Sequence, residues 1–560
     1  MSSMKKSTSL LLAAVALATT ASHAVLSWPG CSDIANSEFK VVPLGNRATD
    51  MLEEPMKMAF DLLASPTEDA KGKVDVYFTE RLGNIRKYDS KTAKVITLGK
   101  LTLNIDVVNS SDGALGIALD PDFKTNHYVY IYYTFVTTAE KNWRVSRFTL
   151  NAAHDKIDLA TEIPVIKIPI RSGSKHPGGA LQFDAYGDLW ITTGNDYITG
   201  KDFPVWSSAN TNDLRGKILR IRPTAAGGYT IPEGNLFKPG LAETKPEIYI
   251  MGSRNPYTLT LDPVRRWALW GDVGPDGFDM DGKPMNGDAA TEKTEEYDLA
   301  TGPGNYGYPF WSGNYLTKSG MNENAPVIPD NTDWAGVTPG LKTLPKAIAP
   351  IYSYRKACAI TGPLYRYDGD LNSSIKFPPH FQRKWLVSDF NGDNNRLVAF
   401  TVSEDGKNFV SEERVLTSAP LHAPVDIQTG PDGALYVINY AGYRTSTDNT
   451  GLVRIEYTGN CRPAEPKLEK AGSVDLILTK GERYFKGPRV DVSQAHGFMV
   501  SVNTSSAYNL EVRDLMGRPV AVRESKGPTP VSLNEVSQSG VYFLRVKTAE
   551  GLQIIKVAKD

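Results

Sequence analysis

A strand phrase that recurs along the chain constrains its fold more than any other feature of the sequence. Each copy has a short apolar strand, a turn with Asp-Pro or Asp-Gly, and then a strand rich in aromatic residues. Clear copies begin at Gly113, Gly179, Tyr257 and Pro424, and degenerate copies lie at 74–88 and 384–400. Six copies over about 430 residues leave roughly 70 residues for each, which suits a four-stranded blade with long loops.

This repeat predicts an all-β protein whose main domain, residues 25–461, is a six-bladed β-propeller. Helical periodicity is nearly absent, which disfavours a (β/α) barrel, and closing the blades into a ring removes exposed sheet edges. A linker follows at 462–470, because this segment carries Pro463 and Pro466 in a polar context. Two further hairpins then predict a small β-sandwich over 471–560.

The first 24 residues have the pattern of a secretory signal. Lys5 and Lys6 precede a short apolar run at 10–18, and small residues follow at 21–24. A membrane span needs about 20 apolar residues, and no segment reaches that length. We therefore expect an exported protein that does not span a membrane.

The three cysteines suit an oxidising compartment. Cys31 and Cys461 lie at the two ends of the predicted propeller, so a disulfide between them could tie the ring together. Cys358 would then be a buried, inert thiol.

The charge of the chain is nearly balanced. It has 62 basic and 63 acidic residues and a formal charge of −1. This balance argues against a nucleic acid or an anionic membrane as the main partner.

Several segments of the propeller resemble the glucose/sorbosone dehydrogenase family, whose members are calcium-assisted quinoproteins that use pyrroloquinoline quinone (PQQ). The resemblance runs from about Pro55 to Tyr457, and its motifs keep the family's order. The matching segments are 112–123, 176–181, 212–219, 254–256, 271–275 and 304–309.

The C-terminal hairpins are similar to the type A Por (type IX) secretion sorting domain, with a Gly-Val-Tyr strand at 540–542 and a lysine-containing last strand. That resemblance implies a secretion machinery as partner, and delivery to the outer surface or the medium of a Gram-negative-type cell.

The family resemblance assigns roles to three residues near the predicted channel. His176 would be the general base that takes the proton of a sugar hydroxyl, a task that suits an imidazole. Arg254 and Asn255 would bind polar groups of cofactor and substrate. The alternatives are a histidine that only bonds a neighbouring backbone, and a structural Arg–Asp tie.

The same resemblance implies a calcium site and a further cofactor contact. The carbonyls of Gly274 and Pro275 would ligate Ca²⁺, which would polarise the quinone, although the pair would also suit a plain turn. Ser111 stands where the family has a cofactor-contacting Gln or Glu.

Other departures concern the positive charges that would hold the three carboxylates of PQQ. The family's lysine is replaced around 390–391, and its two late arginines are replaced by Ala423 and Val425. Burying carboxylates without cations is costly. Lys175 or His422 could compensate.

Two further groups have a plain structural interpretation. The acidic stretch 276–298 could hold a second calcium, but it lacks EF-hand spacing, so we interpret it as a solvated loop. Tyr306, Tyr308 and Trp311 could stack on a sugar ring, although packing within a blade is the ordinary role of such aromatics.

The sequence thus supports three functions. The first is an exported quinoprotein-like dehydrogenase that oxidises a sugar or sugar alcohol with PQQ and Ca²⁺. The second is a non-catalytic cell-surface propeller that binds a sugar or polysaccharide and has lost PQQ binding. The third is a lactonase or other hydrolase on the same scaffold.

Overall fold

The computed structural model describes residues 34–559 apart from several segments. These segments are 66, 172, 198–205, 275–293, 314, 317–338, 356–357, 370, 391–395, 417–420, 442–446, 462–488, 494–498, 504–506, 514–518, 527–530, 534–535, 537–539 and 549–550. Strands dominate the described residues. The α-helices among them are the single turns Arg47–Asp50 and Phe123–Asn126, and 3₁₀ turns lie at Asn36–Glu38, Trp206–Ser208 and Pro379–Phe381. No helix in the described part of the chain has the length and apolar character to cross a membrane.

The first three blades follow one another along the chain, after a leading strand β1 (Phe39–Asn46). Blade one comprises β2 (Pro55–Leu62), β3 (Val74–Glu80), β4 (Asn84–Asp89) and β5 (Lys94–Lys100). Blade two comprises β6 (Ala114–Leu119), β7 (Tyr128–Val136), β8 (Lys141–Leu150) and β9 (Ile157–Pro169). Blade three comprises β10 (Leu181–Phe183), β11 (Leu189–Thr193), β12 (Lys217–Pro223) and β14 (Ile248–Met251), with the short β13 (Tyr229–Thr230) beside β12.

The remaining blades have the same meander. Blade four comprises β15 (Pro256–Leu261), β16 (Ala268–Asp272), β17 (Thr294–Ala300) and β21 (Tyr352–Arg355). Between its last two strands lie β18 (Gly304–Asn305), which extends blade three, and the hairpin β19 (Trp311–Ser312) and β20 (Tyr315–Leu316). Blade five comprises β22 (Ala359–Leu364), β23 (Trp385–Asp389), β24 (Leu397–Val402) and β25 (Phe409–Val415). Blade six comprises β26 (Pro424–Thr429), β27 (Leu435–Asn439) and β28 (Gly451–Tyr457), together with β1.

Strand β1 closes the ring. It pairs antiparallel with β28, from Phe39 opposite Tyr457 to Asn46 opposite Gly451, so the first and last strands of the propeller share one blade. Cys461, just beyond β28, is disulfide-bonded. Cys31, the partner we expect, lies outside the described residues. Cys358 is not in a disulfide, and it is half-buried rather than buried as predicted.

The burial of the strands follows from the packing of blades against each other. A strand such as β3 is buried at every position because both faces of its sheet contact a neighbouring blade, whereas the outer strand β25 is mostly exposed. Large side chains fill the spaces between the sheets. Trp143, Trp270 and Trp385 are completely buried in blades two, four and five. The six-bladed propeller predicted from the repeat is confirmed.

The C-terminal residues form two further sheets. One contains β29 (Arg489–Ser493), β30 (Met499–Asn503) and β33 (Val531–Ser532), and the other β31 (Ala507–Arg513), β32 (Pro519–Lys526), β34 (Gly540–Thr548) and β35 (Gly551–Lys559). Their apolar residues form a separate core that includes Val502, Leu510 and Leu544. This arrangement confirms the predicted small sandwich.

Candidate functional site

The innermost strands β2, β6, β10, β15, β22 and β26 line the central channel, and the candidate residues lie where these strands begin. His176 precedes β10, Arg254 and Asn255 directly precede β15, and Ser111 precedes β6. Gly274 follows β16, and Pro275 lies outside the described residues. Since the inner strands all start at the same end of the channel, these segments meet at one mouth.

Hydrogen bonds join the segments into one site. The backbone N–H of Gly178 donates to Asn255 Oδ1 at 3.1 Å, and the N–H of Ser111 donates to the carbonyl of Ser174 at 2.7 Å. A guanidinium N–H of Arg254 donates to the carbonyl of Val273, next to Gly274, at 2.9 Å. The structure therefore brings together all the described residues that the sequence predicted for the site.

The glycines after His176 explain how its segment turns into the mouth. Gly178 and Gly179 have φ values of +66° and +111°, which side chains other than glycine rarely adopt. A Cβ at Gly179 would come within 2.7 Å of the Leu115 side chain in blade two. The Gly-Gly pair therefore allows blades two and three to pack closely beneath the histidine.

His176 is buried and has a defined tautomer. Its Nδ1 lies 2.7 Å from Asn195 Oδ1, and its ring stacks on Tyr197 with centroids 5.0 Å apart. Because an amide oxygen only accepts hydrogen bonds, Nδ1 carries the proton and Nε2 keeps its lone pair. Burial, reinforced by the charge of Arg254, holds the pKa of His176 well below its ordinary value. The side chain is therefore a neutral base at pH 7.

Asp272 positions the Arg254–Asn255 segment. Its two carboxylate oxygens accept the backbone N–H groups of Arg254 at 2.8 Å and of Asn255 at 2.6 Å. The guanidinium of Arg254 lies against Tyr308 as well as the Val273 carbonyl. Asp272 thus binds the backbone of the segment and leaves the guanidinium turned toward other partners.

Asp272 belongs to a buried cluster of carboxylates with Glu296 and Asp298. The three residues are at most 7% exposed, and one carboxylate oxygen from each lies within 4.8 Å of the others. Among the residues that the structure describes, neither carboxylate oxygen of Asp298 has a hydrogen-bond partner. Burial, reinforced by the neighbouring carboxylates, raises the pKa of Glu296 to about 8 and that of Asp298 well above its usual range, and burial raises that of Asp272 to about 6.

This cluster corrects our interpretation of the acidic stretch 276–298 as a solvated loop. Residues 276–293 lie outside the described residues, and the last part of the stretch forms the buried strand β17, which pairs with β16 and β21 inside blade four. Three adjacent carboxylates, of which Asp298 has no hydrogen-bond partner among the described residues, suit a hard divalent cation. The carboxylates Asp272, Glu296 and Asp298 are therefore the described residues that fit a calcium ion.

Gly274 has a more restricted environment. A Cβ at this position would lie 1.6 Å from the carbonyl oxygen of Thr294, so only glycine fits. Its N–H donates to Glu295 Oε2 at 3.2 Å, and burial raises the pKa of Glu295 to about 8. The Gly274 turn is thereby fixed against the neighbouring strand, with its predicted partner Pro275 outside the described residues.

The predicted aromatics have different roles. The hydroxyl of Tyr306 donates to the Leu299 carbonyl at 3.1 Å, and its ring packs edge-on against Trp270. Tyr306 is therefore a packing residue. Tyr308 is also buried, but it contacts Arg254 and belongs to the site. Trp311 is half-buried in the short strand β19.

Most cations at the mouth are already paired with carboxylates. Arg81 binds Glu54 through two nitrogens, Arg215 contacts Asp213 and Asp196, and Arg171 lies 3.5 Å from Asp196. Among the described residues beside His176, Arg254 and the half-buried Lys175 have no such ion pair within 4 Å. These two would fit two carboxylates of a tricarboxylate ligand.

At the positions where the family has its other lysine and arginines, the described residues of this chain supply no positive charge to the site. Ala423 and Val425 lie at the start of β26, and Phe390 packs against Tyr440. Asn391 lies outside the described residues. His422 is half-buried, and its N–H donates to Asn439 Oδ1 at 3.1 Å.

Sequence reasoning missed Asn195, Tyr197 and Asp272 as parts of the site. Asn195 and Tyr197 follow β11 in the sequence Gly-Asn-Asp-Tyr, and Asp272 lies in Gly-Asp-Val-Gly. A polar residue at the end of a buried strand, or just after it, was the available signal, because such positions lie at a channel mouth.

Comparisons with known proteins agree with this architecture. A family model described as Glucose / Sorbosone dehydrogenase matches residues 53–446. The aldose sugar dehydrogenase YliI of Escherichia coli (strain K12) is 26% identical over 333 residues, 58% of this chain and 74% of that protein. The quinoprotein glucose dehydrogenase B of Acinetobacter calcoaceticus is 23% identical over 387 residues, 61% of this chain and 74% of that protein.

Solved structures share the fold. A glucose dehydrogenase-type oxidoreductase of Thermus thermophilus superposes with a TM-score of 0.52 and 23% identity, covering 74% of this chain and 99% of that one. The apo-form of the soluble aldose sugar dehydrogenase of E. coli gives a TM-score of 0.50 at 22% identity, covering 75% and 99%. The chain thus belongs to the glucose/sorbosone dehydrogenase family.

Proposed function

We propose that this protein is a sugar dehydrogenase that oxidises a hydroxyl-bearing carbon of a sugar or sugar alcohol, with PQQ as electron acceptor and Ca²⁺ as an accessory ion. The observation that carries the proposal is the neutral His176, whose Nδ1 is bonded to Asn195. This bond directs the free lone pair of Nε2 to the other side of the ring. A base in that state can accept a proton at neutral pH.

The residues of the chain would divide the work as follows. His176 Nε2 takes the proton of the substrate hydroxyl, so the carbon that loses its hydride becomes a carbonyl. Arg254 and Asn255, held by Asp272, orient polar groups of the ligands. Tyr197 and the buried walls around His176 exclude water. When bound, the quinone supplies the two-electron acceptor for the hydride.

Binding of the cofactor would use the cations that lack a carboxylate partner. Arg254 and Lys175 flank His176 and fit two carboxylates, and Ser111 lies on the facing segment of blade two. For the metal, the Asp272–Glu296–Asp298 cluster fits better than the described part of the Gly274–Pro275 turn, because it brings three carboxylates together and the oxygens of Asp298 have no hydrogen-bond partner among the described residues.

The scarcity of such cations favours a second candidate, a propeller that binds carbohydrate without catalysis. Reconstitution with PQQ and Ca²⁺ separates the two. The dehydrogenase should show a quinone spectrum and reduce a dye with at least one sugar of a panel, and His176→Gln should lower turnover about 10²- to 10⁴-fold while PQQ stays bound. If the protein binds sugar but shows no quinone spectrum and no dye reduction, the dehydrogenase is refuted and the non-catalytic carbohydrate-binding propeller is supported.

We also propose that the protein is exported to the outer surface or the medium of a Gram-negative-type cell, with the C-terminal sandwich as its sorting domain. The disulfide at Cys461 supports export, because disulfides persist in oxidising compartments. The separate core of the sandwich supports its treatment as an independent module.

A further inference from the structure

Lys57 crosses the central channel directly beneath the site. It lies on β2, the innermost strand of blade one, and is 4% exposed. Its Nζ donates to the carbonyl of Val425 in blade six at 2.7 Å. The same Nζ lies 3.4 Å from the centroid of the Tyr257 ring in blade four, two residues after Asn255. Blades one and four are opposite in a six-membered ring, so the ammonium group occupies the middle of the channel.

The other buried lysines of the described chain have either a carboxylate counterion or three oxygen acceptors. Lys87 forms an ion pair with Asp75 at 2.7 Å. Lys217 donates to the carbonyls of Ser207, Ser208 and Arg215. Lys376 likewise donates to three carbonyls, those of residues 368, 369 and 371.

Lys57 has neither of these among the described residues. Among the described residues, Val425 supplies its one oxygen acceptor and the Tyr257 ring a second, weaker contact. An ammonium group has three N–H donors, and a buried charge without a counterion is costly. The arrangement therefore leaves a donor available to a ligand oxygen.

No carboxylate among the described residues forms an ion pair with Lys57 within 4 Å. Asp426 of blade six lies beyond ion-pair distance, and its Oδ2 accepts the N–H of Met58 at 2.9 Å and an N–H of Gln428 at 2.8 Å. Glu54 of blade one is held by Arg81 and by the hydroxyl of Tyr440. Burial lowers the pKa of Lys57 to about 7, with Asp426 opposing the shift.

We propose that Lys57 is a ligand-binding residue in the floor of the site, where its ammonium group binds a carboxylate of the cofactor. This inference rests on the proposed function. With Arg254 and Lys175 at the mouth, Lys57 supplies a third cation for a tricarboxylate ligand. It lies on blade one, where the resemblance to the family predicts no cofactor-binding cation. A purely structural role, as a bridge between blades, is the competing explanation.

The test compares PQQ with its trimethyl ester, which has the same rings and no carboxylate charge. Dissociation constants for both compounds are measured by quenching of tryptophan fluorescence, at pH 6 with Ca²⁺. Variants are Lys57→Met, Lys57→Arg and the control Lys376→Met, which removes a buried lysine with a different set of partners. The ratio of the two constants is independent of how much protein is folded.

We expect Lys57→Met to reduce the preference for the acid about 10- to 100-fold, because a hydrogen bond to a charged group contributes that factor. Lys57→Arg should keep part of the preference, and Lys376→Met should keep all of it. An unchanged preference in Lys57→Met would overturn the inference, and Lys57 would then have only a structural role as a bridge between blades.

A second measurement uses the unaltered protein and so avoids any folding defect. A lysine with a pKa near 7 loses its charge as the pH rises, so between pH 6 and pH 9 the preference for the acid should fall by most of the factor that is lost in Lys57→Met. A constant preference over this range would equally refute the role of Lys57. If the unaltered protein bound neither compound, the proposed function itself would fail, which is a different outcome.

Discussion

The hydrogen bond between Asn195 and His176 allows the basicity of the proposed base to be changed by a single atom. Asn195→Asp replaces the amide with a carboxylate of nearly the same shape, at a position where the side-chain oxygen lies 2.7 Å from His176 Nδ1. The geometry and the tautomer are kept. What changes is the charge that faces the imidazole, and we expect the pKa of His176 to rise.

The size of the rise follows from the distance. Two unit charges about 4 Å apart at an effective dielectric constant of about 20 attract by about 4 kcal/mol, an upper limit close to 3 pKa units. Desolvation of the new carboxylate at this completely buried position consumes part of that energy. We therefore expect the pKa of His176 to increase by about 1 to 3 units.

Two measurements report this shift. The chain has seven histidines, so the His176 resonance can be assigned by its loss in His176→Gln and then titrated by NMR. In the reconstituted enzyme, the acidic limb of the pH profile of kcat/KM should move upward by the same amount, because His176 must be neutral to accept a proton. Asn408→Asp, an exposed change of equal charge, serves as control.

The reasoning fails if the NMR pKa of His176 is the same in Asn195→Asp and in the unaltered protein. It also fails if Asn408→Asp shifts that pKa equally, since the effect would then come from net charge rather than from the hydrogen bond. A shift of the NMR pKa without a shift of the kinetic limb would retain the structural account and remove His176 as the base.

Two further predictions concern the metal and the C-terminal domain. Without metal, the raised pKa values of Asp272 and Glu296 mean that the folded state holds more protons than the unfolded state, so the free energy of unfolding should fall as the pH rises from about 4 to about 8. Calcium at about 100 times its Kd should raise the Tm by about 3 °C in calorimetry, and Asp298→Asn should abolish that response; an equal response in the variant contradicts the site. Deletion of the residues after Pro466 should leave the propeller folded with a small decrease in its Tm, because the described contacts that it removes include the pairs of Arg513 and Arg545 with Asp122 and the packing of Phe543 on Tyr186. The truncated protein should remain in the cell envelope, and normal release in a secretion assay would refute the sorting role.

The recurring strand phrase was sufficient to predict the propeller, because alternating apolar residues, Asp-Gly turns and aromatic strands specify a blade through local preferences. His176 and the Arg254–Asn255 pair were identified from the segments that resemble the glucose/sorbosone dehydrogenase family, and the backbone geometry of Gly178 and Gly179 became visible only in the structure. The hairpins of the C-terminal sandwich followed from the same local signals.

Tertiary structure decided the chemistry of the site. Asn195 fixes the tautomer of His176 from a loop 19 residues away, and Lys57 meets Val425 across 368 residues of chain. The acidic residues of β17 look like a solvated loop in the sequence, but packing of blade four buries them beside Asp272. Protonation states and counterions depend on desolvation and on neighbours in space, and these exist only once the ring of blades has closed.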